Sequence, residues 1–264
     1  MKRAPRSILI TGASSGIGRA LALTYANPGV ALALIGRNKA RLEAVAAAAR
    51  EQGAEVDIGR LDVRDQDAMR QWIVERDGAR RFDLCIANAG ITTGLSPSGI
   101  AEDPQAVRAV LESNLIGVLN TVEPLIAPMC GRGDGQFAFV GSMAGLRGLP
   151  YAPAYSAAKA AVHSYAESLR GRLEPQGVRV SLLIVGFVKT PLNDSIEGLK
   201  PFEVSDAQAA RIIQRGLDRG KAVVAFPWPL YLATRLARTL PARLVDKIMA
   251  RFDVKVPETQ ERVR

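Results

Sequence analysis

The sequence predicts an α/β fold, a doubly wound sheet of about seven parallel strands in a single domain, followed by a helical C-terminal extension. Strand-like and helix-like segments alternate along the chain, which favours a parallel sheet with helices on both faces. A glycine-rich turn joins the first strand to the first helix. The 264 residues, 48% hydrophobic and 23% charged, fit one globular domain. We expect the domain at residues 1–226 and the extension at residues 227–264.

Each element follows from a short apolar run or from apolar residues at helical spacing. Strands are predicted at residues 7–10, 30–35, 55–61, 82–87, 136–141, 179–185 and 222–226. Helices are predicted at residues 19–27, 39–52, 66–75, 154–173 and 205–218, and two long helices are expected around Asn114.

Composition bears on the compartment and on the partners. Cys85 and Cys130 are the only cysteines, which argues for a reducing compartment and against a disulfide scaffold. The basic N-terminus runs directly into the first strand, without the apolar region of a signal peptide. No apolar run reaches the ~18 residues of a membrane span. We expect a cytoplasmic protein. The pI near 9.9 would suit nucleic-acid binding, but the sequence has no interleaved aromatic and basic face, so no nucleic-acid partner is expected.

The first turn has the context of a dinucleotide-binding site. Thr11–Gly18 reads TGASSGIG and lies between an apolar strand and an apolar-periodic helix. Glycines let the backbone turn sharply and let a pyrophosphate approach the helix N-terminus, where N–H groups and the dipole favour an anion. The spacing is GxxxGxG, not the commoner GxGxxG, and alone it is weak support.

A second motif carries acid/base chemistry. Tyr155 and Lys159 are four residues apart in a predicted helix, so both side chains emerge from one face. A phenol with a pKa of about 10 exchanges protons poorly at neutral pH, and a nearby positive charge favours its phenolate. The pair is therefore a candidate general acid/base, although the same spacing also occurs on solvated helices.

Together, TGASSGIG at Thr11–Gly18 and YSAAK at Tyr155–Lys159 resemble the classical short-chain dehydrogenase/reductase family, over roughly residues 5–225. The resemblance implies a Rossmann-type fold and hydride transfer between a nicotinamide and a carbonyl or hydroxyl carbon, and it implies no metal site. It assigns as catalytic residues Asn114, Ser142, Tyr155 and Lys159.

In the implied mechanism, Ser142 and Tyr155 bond the substrate oxygen and Tyr155 supplies the proton. Lys159 anchors the nicotinamide ribose and lowers the pKa of Tyr155, while Asn114 and a water resupply the proton. His163, the only histidine, is interpreted as structural or interfacial.

The resemblance also implies cofactor contacts at the ends of strands. The residues concerned are Gly12, Ser14, Ser15, Gly16, Ile17, Gly18, Arg37, Asp62, Val63, Asn88, Ala89, Gly90, Tyr155, Lys159, Gly186, Val188 and Thr190. Ala87 and Val185 depart from the family pattern, which has an asparagine and a proline there.

Cofactor choice depends on the end of the second strand. An acidic residue there accepts from the ribose 2′-hydroxyl of NAD, whereas an arginine accommodates a 2′-phosphate. Gly36–Lys39 contains no carboxylate and offers Arg37, so NADP(H) is favoured over NAD(H). Against this preference, Ser15 occupies a position that is basic in many NADP-preferring relatives. The alternative interpretation of Arg37 is a solvated loop charge that does not bind the cofactor.

The expected substrate site is mostly apolar. Its predicted contacts are Ser142, Met143, Tyr151 and Phe187. Further lining is expected from Gly94, Leu95, Ala144, Leu149, Pro150 and residues 192–202. Because no cluster of arginines is available for a carboxylate or phosphate, we expect a hydrophobic ketone, aldehyde or 3-oxoacyl compound.

The C-terminal extension is the least family-like part. Residues 221–264 hold nine Lys/Arg against four Asp/Glu, a net +5 of the chain's +9. Leucines and other apolar residues recur at helical spacing from Leu232 to Phe252. A basic amphipathic helix near a tryptophan predicts peripheral membrane contact through residues 228–252, and packing on the domain or at a subunit interface is the alternative.

Two questions stay open at the level of sequence. A catalytically silent NADP(H)-binding sensor would keep the fold and the cofactor site without turnover. Retention of all four catalytic residues argues against it, because a sensor needs only the cofactor site. Relatives usually pair through the helices around Asn114 and Tyr155, so the resemblance implies a homodimer or homotetramer.

Overall fold

The computed structural model describes residues 4–96, 99–194 and 196–249. Its strands are β1 (Ser7–Thr11), β2 (Ala31–Ile35), β3 (Glu55–Gly59), β4 (Leu84–Ala87), β5 (Gly135–Ser142), β6 (Val178–Val185), β7 (Val188–Lys189), β8 (Val204–Ser205) and β9 (Val223–Phe226). Seven strands form one sheet in the order β3-β2-β1-β4-β5-β6-β9, and β7 pairs with β8. Every pair is parallel, so the predicted fold class is confirmed.

The helices alternate with the strands of the main sheet. They are α1 (Gly16–Tyr25), α2 (Lys39–Glu51), α3 (Gln66–Ala79), α4 (Pro104–Leu111), α5 (Gly117–Arg132), α6 (Pro153–Leu173), α7 (Pro191–Asp194), α8 (Asp206–Asp218), α9 (Trp228–Ala237) and α10 (Ala242–Met249).

The core has two layers, one on each face of the sheet. Alternate strand residues face opposite sides, so Ile8 and Ile10 of β1 join one apolar cluster while Leu9 joins the other. The first cluster is covered by α1, α2 and α8, and the second by α3, α5 and α6. Strand order reverses between β1 and β4. In sheets of this kind, ligands bind at the carboxyl ends of the strands beside that reversal.

Three local features differ from the predictions. The first helix begins at Gly16 and not at residue 19, because Ser15 is extended and serves as its N-cap. The two helices expected around Asn114 are joined by a π-helical turn, Glu112–Ile116, which inserts one extra residue and keeps the run helical. Strands β7 and β8 have two residues each and were not predicted, because such short pairings leave no periodic pattern.

The C-terminal extension forms two helices, α9 and α10, and we call residues 228–249 the cover. The break falls at Pro241, whose ring and missing N–H oppose continuation of α9. Val245 of α10 is buried, whereas α9 buries none of its residues fully. The predicted helical pattern is confirmed up to Met249, and Phe252 lies outside the described residues. None of the described helices is both long and apolar enough to span a bilayer.

Candidate active site

A cavity of about 1100 Å³ opens at the carboxyl ends of the parallel strands, beside the reversal of strand order. All of the predicted catalytic and substrate-binding residues line it, as do all of the predicted cofactor-binding residues except Gly18. Gly94, Leu95 and Pro150 were expected to line it and do not; of the described residues in the expected range 192–202, those that line it are Leu192, Asn193, Ile196, Leu199 and Pro201. Gly94 and Leu95 precede Ser96, whose amide donates to the Ala101 carbonyl at 2.7 Å.

The first turn is closely packed and leads into an open helix N-terminus. Gly18 has no room for a side chain, because a Cβ there would meet the carbonyl oxygen of Gly12 and the amide of Asn88. Gly16 has φ +52°, which favours glycine. No side chain caps the N-terminus of α1. Gly18 therefore packs beneath the turn and does not line the cavity. The uncapped N–H groups at this end of α1 are available to an anion in the cavity.

Asn88 ties this turn to the end of β4. Its side-chain amide donates to the Thr11 carbonyl at 2.9 Å, and its backbone amide donates to the Thr11 hydroxyl at 3.1 Å. The Ala89 amide donates to the same hydroxyl at 3.2 Å. These bonds fix the two strand ends on either side of the strand-order reversal.

Two arginines, Arg64 and Arg37, lie beside the carboxylate of Asp62, which lines the cavity. Arg64 pairs with Asp62 at 2.7 Å, and Arg37 lies 3.8 Å from the same carboxylate. Burial alone would raise the pKa of Asp62, but hydrogen bonds and charge from Arg64, with a smaller contribution from Arg37, lower it below its usual value. Arg41, in the first turn of α2, also lines the cavity. Sequence reasoning missed Arg41, although its place four residues after Arg37 on a predicted helix was a usable signal.

Ser142 and Tyr155 meet at the centre of the cavity. Ser142 ends β5, and Tyr155 lies in the first turn of α6. Burial raises the pKa of Tyr155, and a hydrogen bond with Ser142 partly opposes that increase. Lys159 was expected to lower the pKa of Tyr155, but the pKa of this buried phenol is raised, because desolvation is the largest effect on it.

Lys159 is almost fully buried and points at the sheet. Its Nζ donates to the Val140 carbonyl at 2.8 Å and lies 5.7 Å from the centroid of the Tyr155 ring. Burial lowers the pKa of Lys159 to about 8. The ammonium is thus held one helical turn from the phenol and close to the pH range in which it can release a proton.

His163 holds the backbone of Ser142. Its Nε2 accepts from the Ser142 amide at 3.2 Å, which requires the proton to be on Nδ1. The ring is buried and packs where Gly141 and Gly145 leave room for it. Burial, with the charges of Lys159 and Arg238, lowers the pKa of His163 to about 4. The structural interpretation holds in the described chain, but sequence reasoning missed this contact with Ser142.

Asn114 occupies the π turn and is fully buried. Its Oδ1 accepts from the Ile91 amide at 3.0 Å, and its Nδ2 donates to the Ile91 carbonyl at 2.7 Å. The turn brings the Asn114 side chain against Gly90, where a Cβ would overlap its Oδ1. Asn114 therefore connects the helix to the loop after β4, beside Lys159.

Glu102 stabilises the start of α6 from another part of the chain. Ala152 at the N-terminus of α6 provides no side-chain cap, and Oε2 of Glu102 accepts from the Ala154 amide at 2.8 Å. A carboxylate is favourable at this end of a helix dipole. Nothing local in the sequence marks Glu102, because its partner is 52 residues away.

The substrate end of the cavity is apolar and includes the cover. Met143, Tyr151 and Phe187 line it together with Leu149, Leu192, Ile196, Leu199, Leu230, Leu236, Leu240 and Val245. Arg147, after Ser142, pairs with Asp246 of α10 at 2.5 Å and so joins the cover to the catalytic loop. The cover therefore packs on the domain, which was one of the predicted alternatives.

The chain is similar to known sequences over most of its length. A sequence model described as short chain dehydrogenase matches residues 6–199. An uncharacterized oxidoreductase of Myxococcus xanthus is 38% identical over 248 residues, covering 94% of this chain and 97% of the relative. The human 17-beta-hydroxysteroid dehydrogenase type 1 is 35% identical over 206 residues, covering 75% of this chain and 61% of the relative.

Solved structures share the fold. A short chain dehydrogenase/reductase from Burkholderia phymatum in complex with NAD superposes with a TM-score of 0.81 at 23% identity, covering 90% of this chain and 95% of the other. A short-chain dehydrogenase from Sphingobium yanoikuyae in complex with NADPH gives 0.75 at 24% identity, covering 88% and 94%.

Proposed function

The chain belongs to the short-chain dehydrogenase family of oxidoreductases, which act on hydroxyl and carbonyl groups with a nicotinamide cofactor, and from this premise we propose that it reduces a hydrophobic carbonyl compound with NADPH. The carbonyl compound is a ketone, an aldehyde or a 3-oxoacyl compound. The observation that carries the proposal is the convergence of Ser142, Tyr155 and Lys159 in a single cavity with an apolar end.

The residues around the cavity fit a dinucleotide. The open N-terminus of α1 suits a pyrophosphate, and the lining extends from the glycine turn through Asp62 and Val63 to Thr190. When bound, the nicotinamide supplies the hydride. Lys159 is the anchor that we propose for its ribose, and the Gly186–Thr190 loop is the proposed contact for its amide and phosphates.

The proton chemistry belongs to Tyr155. Its raised pKa keeps the phenol protonated at neutral pH, the state that a general acid needs for carbonyl reduction. Ser142 and Tyr155 bond the substrate oxygen and stabilise the developing alkoxide. Lys159, with its pKa of about 8, returns a proton to Tyr155, and Asn114 supports that relay from the π turn.

Preference for NADP(H) is supported by charge at the ribose end. Arg37 and Arg41 both line the cavity at the end of β2 and the start of α2, and residues 36–41 contain no carboxylate. A 2′-phosphate placed there meets guanidinium groups and the N-terminus of α2. Asp62 is already paired with Arg64, so its charge is partly offset.

We also propose that the chain divides after residue 226, that it forms a homodimer or homotetramer, and that residues 228–252 contact a membrane peripherally. The alternative function is a catalytically silent NADP(H)-binding sensor.

The test follows loss of NADPH absorbance with steroids, acyl thioesters, aliphatic aldehydes and sugars, comparing wild type with Tyr155→Phe and NADPH with NADH. We expect turnover of lipophilic carbonyls that is lost in the variant and weaker with NADH. Tight NADPH binding without turnover of any class would favour the sensor, and a preference for sugars would overturn the substrate class.

A further inference from the structure

Helix α9 is apolar on two opposite faces. Its inner residues Leu230, Ala233 and Ala237 line the cavity. On the other side lie Trp228 and Leu232, and Leu236 follows at the same four-residue spacing at the edge between the two faces; 70%, 48% and 56% of their surface is exposed. A helix that only closed a cavity would need the inner face alone. The outer face therefore requires its own explanation.

The exposed face continues into α10. Leu240, in the break just before Pro241, and Leu244 of α10 keep the four-residue spacing and are 45% and 48% exposed. We call Trp228, Leu232, Leu236, Leu240 and Leu244 the outer stripe. Singly exposed leucines are ordinary on a protein surface, but a run of this kind marks a surface that contacts an apolar partner.

The charge around the outer stripe selects the partner. The described cover holds Arg235, Arg238, Arg243 and Lys247, all exposed, against one acid, Asp246. Asp246 is paired with Arg147, so its charge is offset. Exposed leucine and tryptophan flanked by cations fit a surface that is anionic outside and apolar beneath, which is the surface of an anionic lipid bilayer.

The outer stripe also reaches the cavity. Leu236 and Leu240 are exposed and yet line the cavity, and so does Leu199 from the neighbouring segment, at 63% exposure. An apolar path therefore leads from the outer stripe to the substrate end. We propose that the cover binds anionic bilayers through the outer stripe, and that the lipophilic carbonyl substrate enters from the lipid past these three leucines. The substrate part rests on the proposed reductase function.

The binding test uses the fluorescence of Trp228. The chain has two tryptophans, so Trp72→Phe leaves Trp228 as the only one. With vesicles of equal phosphatidylglycerol and phosphatidylcholine at low salt, we expect a blue shift and flotation with the lipid. Pure phosphatidylcholine vesicles should capture less protein, because the headgroup attraction is missing, and added salt should release it.

Matched variants distinguish binding through the cover from non-specific hydrophobic adsorption. Trp228→Gln/Leu232→Gln/Leu244→Gln alters the outer stripe without touching the cavity lining, and we expect it to lower the vesicle partition coefficient about tenfold or more. Val74→Gln/Ile212→Gln removes exposed apolar residues elsewhere and should bind as wild type does.

A second pair of variants tests whether the position of the positive charge matters for vesicle binding. Arg243→Gln/Lys247→Gln removes an i, i+4 cationic pair from the cover, and Arg211→Gln/Arg215→Gln removes the same charge from α8. Only the first should weaken binding. Equal loss in both would mean that net charge alone attracts lipid, and it would overturn the proposal.

Activity separates this inference from the proposed function. With a water-soluble ketone and no vesicles, the outer-stripe variant should turn over as wild type does. With a lipophilic ketone carried in the vesicles, its rate should fall about as much as its binding. Wild type that is inactive in both assays would count against the reductase alone.

Turnover without any vesicle binding would overturn the lipid contact. A second copy of the chain is the competing occupant of the outer stripe. If the variant converted a dimer to a monomer in sedimentation and wild type ignored vesicles, the stripe would be a subunit interface and the proposal would be wrong.

Discussion

The two ends of the cavity are built differently. At the cofactor end, the glycine turn, Thr11 and Asn88 are joined by hydrogen bonds between the ends of adjacent buried strands. At the substrate end, the described part of the cover is held by buried Val245, by the ion pair between Arg147 and Asp246, and by apolar contacts that include Leu230 and Tyr231. The first region tolerates little change, whereas the second is lightly attached.

This difference separates what the family shares from what the single chain adds. Dinucleotide binding requires a turn of fixed backbone geometry, and that turn requires glycines that pack closely against neighbouring backbone. The substrate end only has to exclude water and match a shape, which many apolar sequences can do. Variants at the two ends should therefore fail in different ways.

The largest effect on activity is expected at Tyr155, where the cofactor and substrate ends of the cavity meet. Tyr155→Phe removes the proton donor but keeps the ring, so we expect kcat to fall about 10³-fold, within the range for loss of a general acid. NADPH affinity, measured by fluorescence titration, should change less than about threefold, because the cofactor end stays intact. A comparable loss of affinity would show that the two ends are not separable.

Lys159→Met should inactivate the enzyme and yet stabilise the fold. Burial lowers the folded-state pKa of Lys159 from 10.5 to about 8, so the protein at neutral pH carries a buried ammonium. We expect the variant to gain roughly 1–3 kcal/mol of unfolding free energy at pH 7.

The pH dependence tests the cause of that gain. Between the folded value of about 8 and the ordinary value of 10.5, the unfolded chain binds more protons. Wild-type stability should therefore rise with pH across that window, and the difference from Lys159→Met should shrink. A difference that stayed constant in urea unfolding from pH 7 to pH 10.5 would remove desolvation of Lys159 as its cause.

Gly18→Ala tests the rigid end. The added methyl group meets the Gly12 carbonyl, so we expect a loss of about 1–3 kcal/mol and much weaker NADPH binding. Gly131→Ala is the control, since nothing lies within 4 Å of its Cβ position. Thermal unfolding and NADPH titration measure the two effects. Equal stability and equal NADPH affinity of the two variants would mean that the turn can accommodate a methyl group at residue 18.

The smallest effect is expected at the cover. Asp246→Asn breaks the bond with Arg147 between partly exposed groups, which contributes no more than ~1 kcal/mol. We expect KM for a lipophilic ketone to rise a few-fold and kcat to stay the same. Glu55→Gln, which breaks an exposed pair with Arg80 far from the cavity, should leave both unchanged. A large fall in kcat with Asp246→Asn would mean that the cover is tightly attached.

Sequence reasoning found the fold because each strand and helix leaves a periodic pattern, and it found Tyr155 and Lys159 because helical spacing is local. It did not find Glu102, since that residue stabilises a helix 52 positions away. It also predicted a lowered pKa for Tyr155 from one neighbour's charge, whereas burial, which only the packed chain sets, raises it.

The bond between His163 and Ser142 gives this protein a built-in spectroscopic reporter. His163 is the only histidine, so its imidazole resonances need no assignment by mutagenesis. With a pKa of about 4, the ring stays neutral between pH 6 and pH 8. Chemical-shift changes of its Nε2 in that range will therefore register movement of the Ser142 amide and not protonation of the ring. Substrate arrival at the serine can be followed by NMR in the unmodified chain.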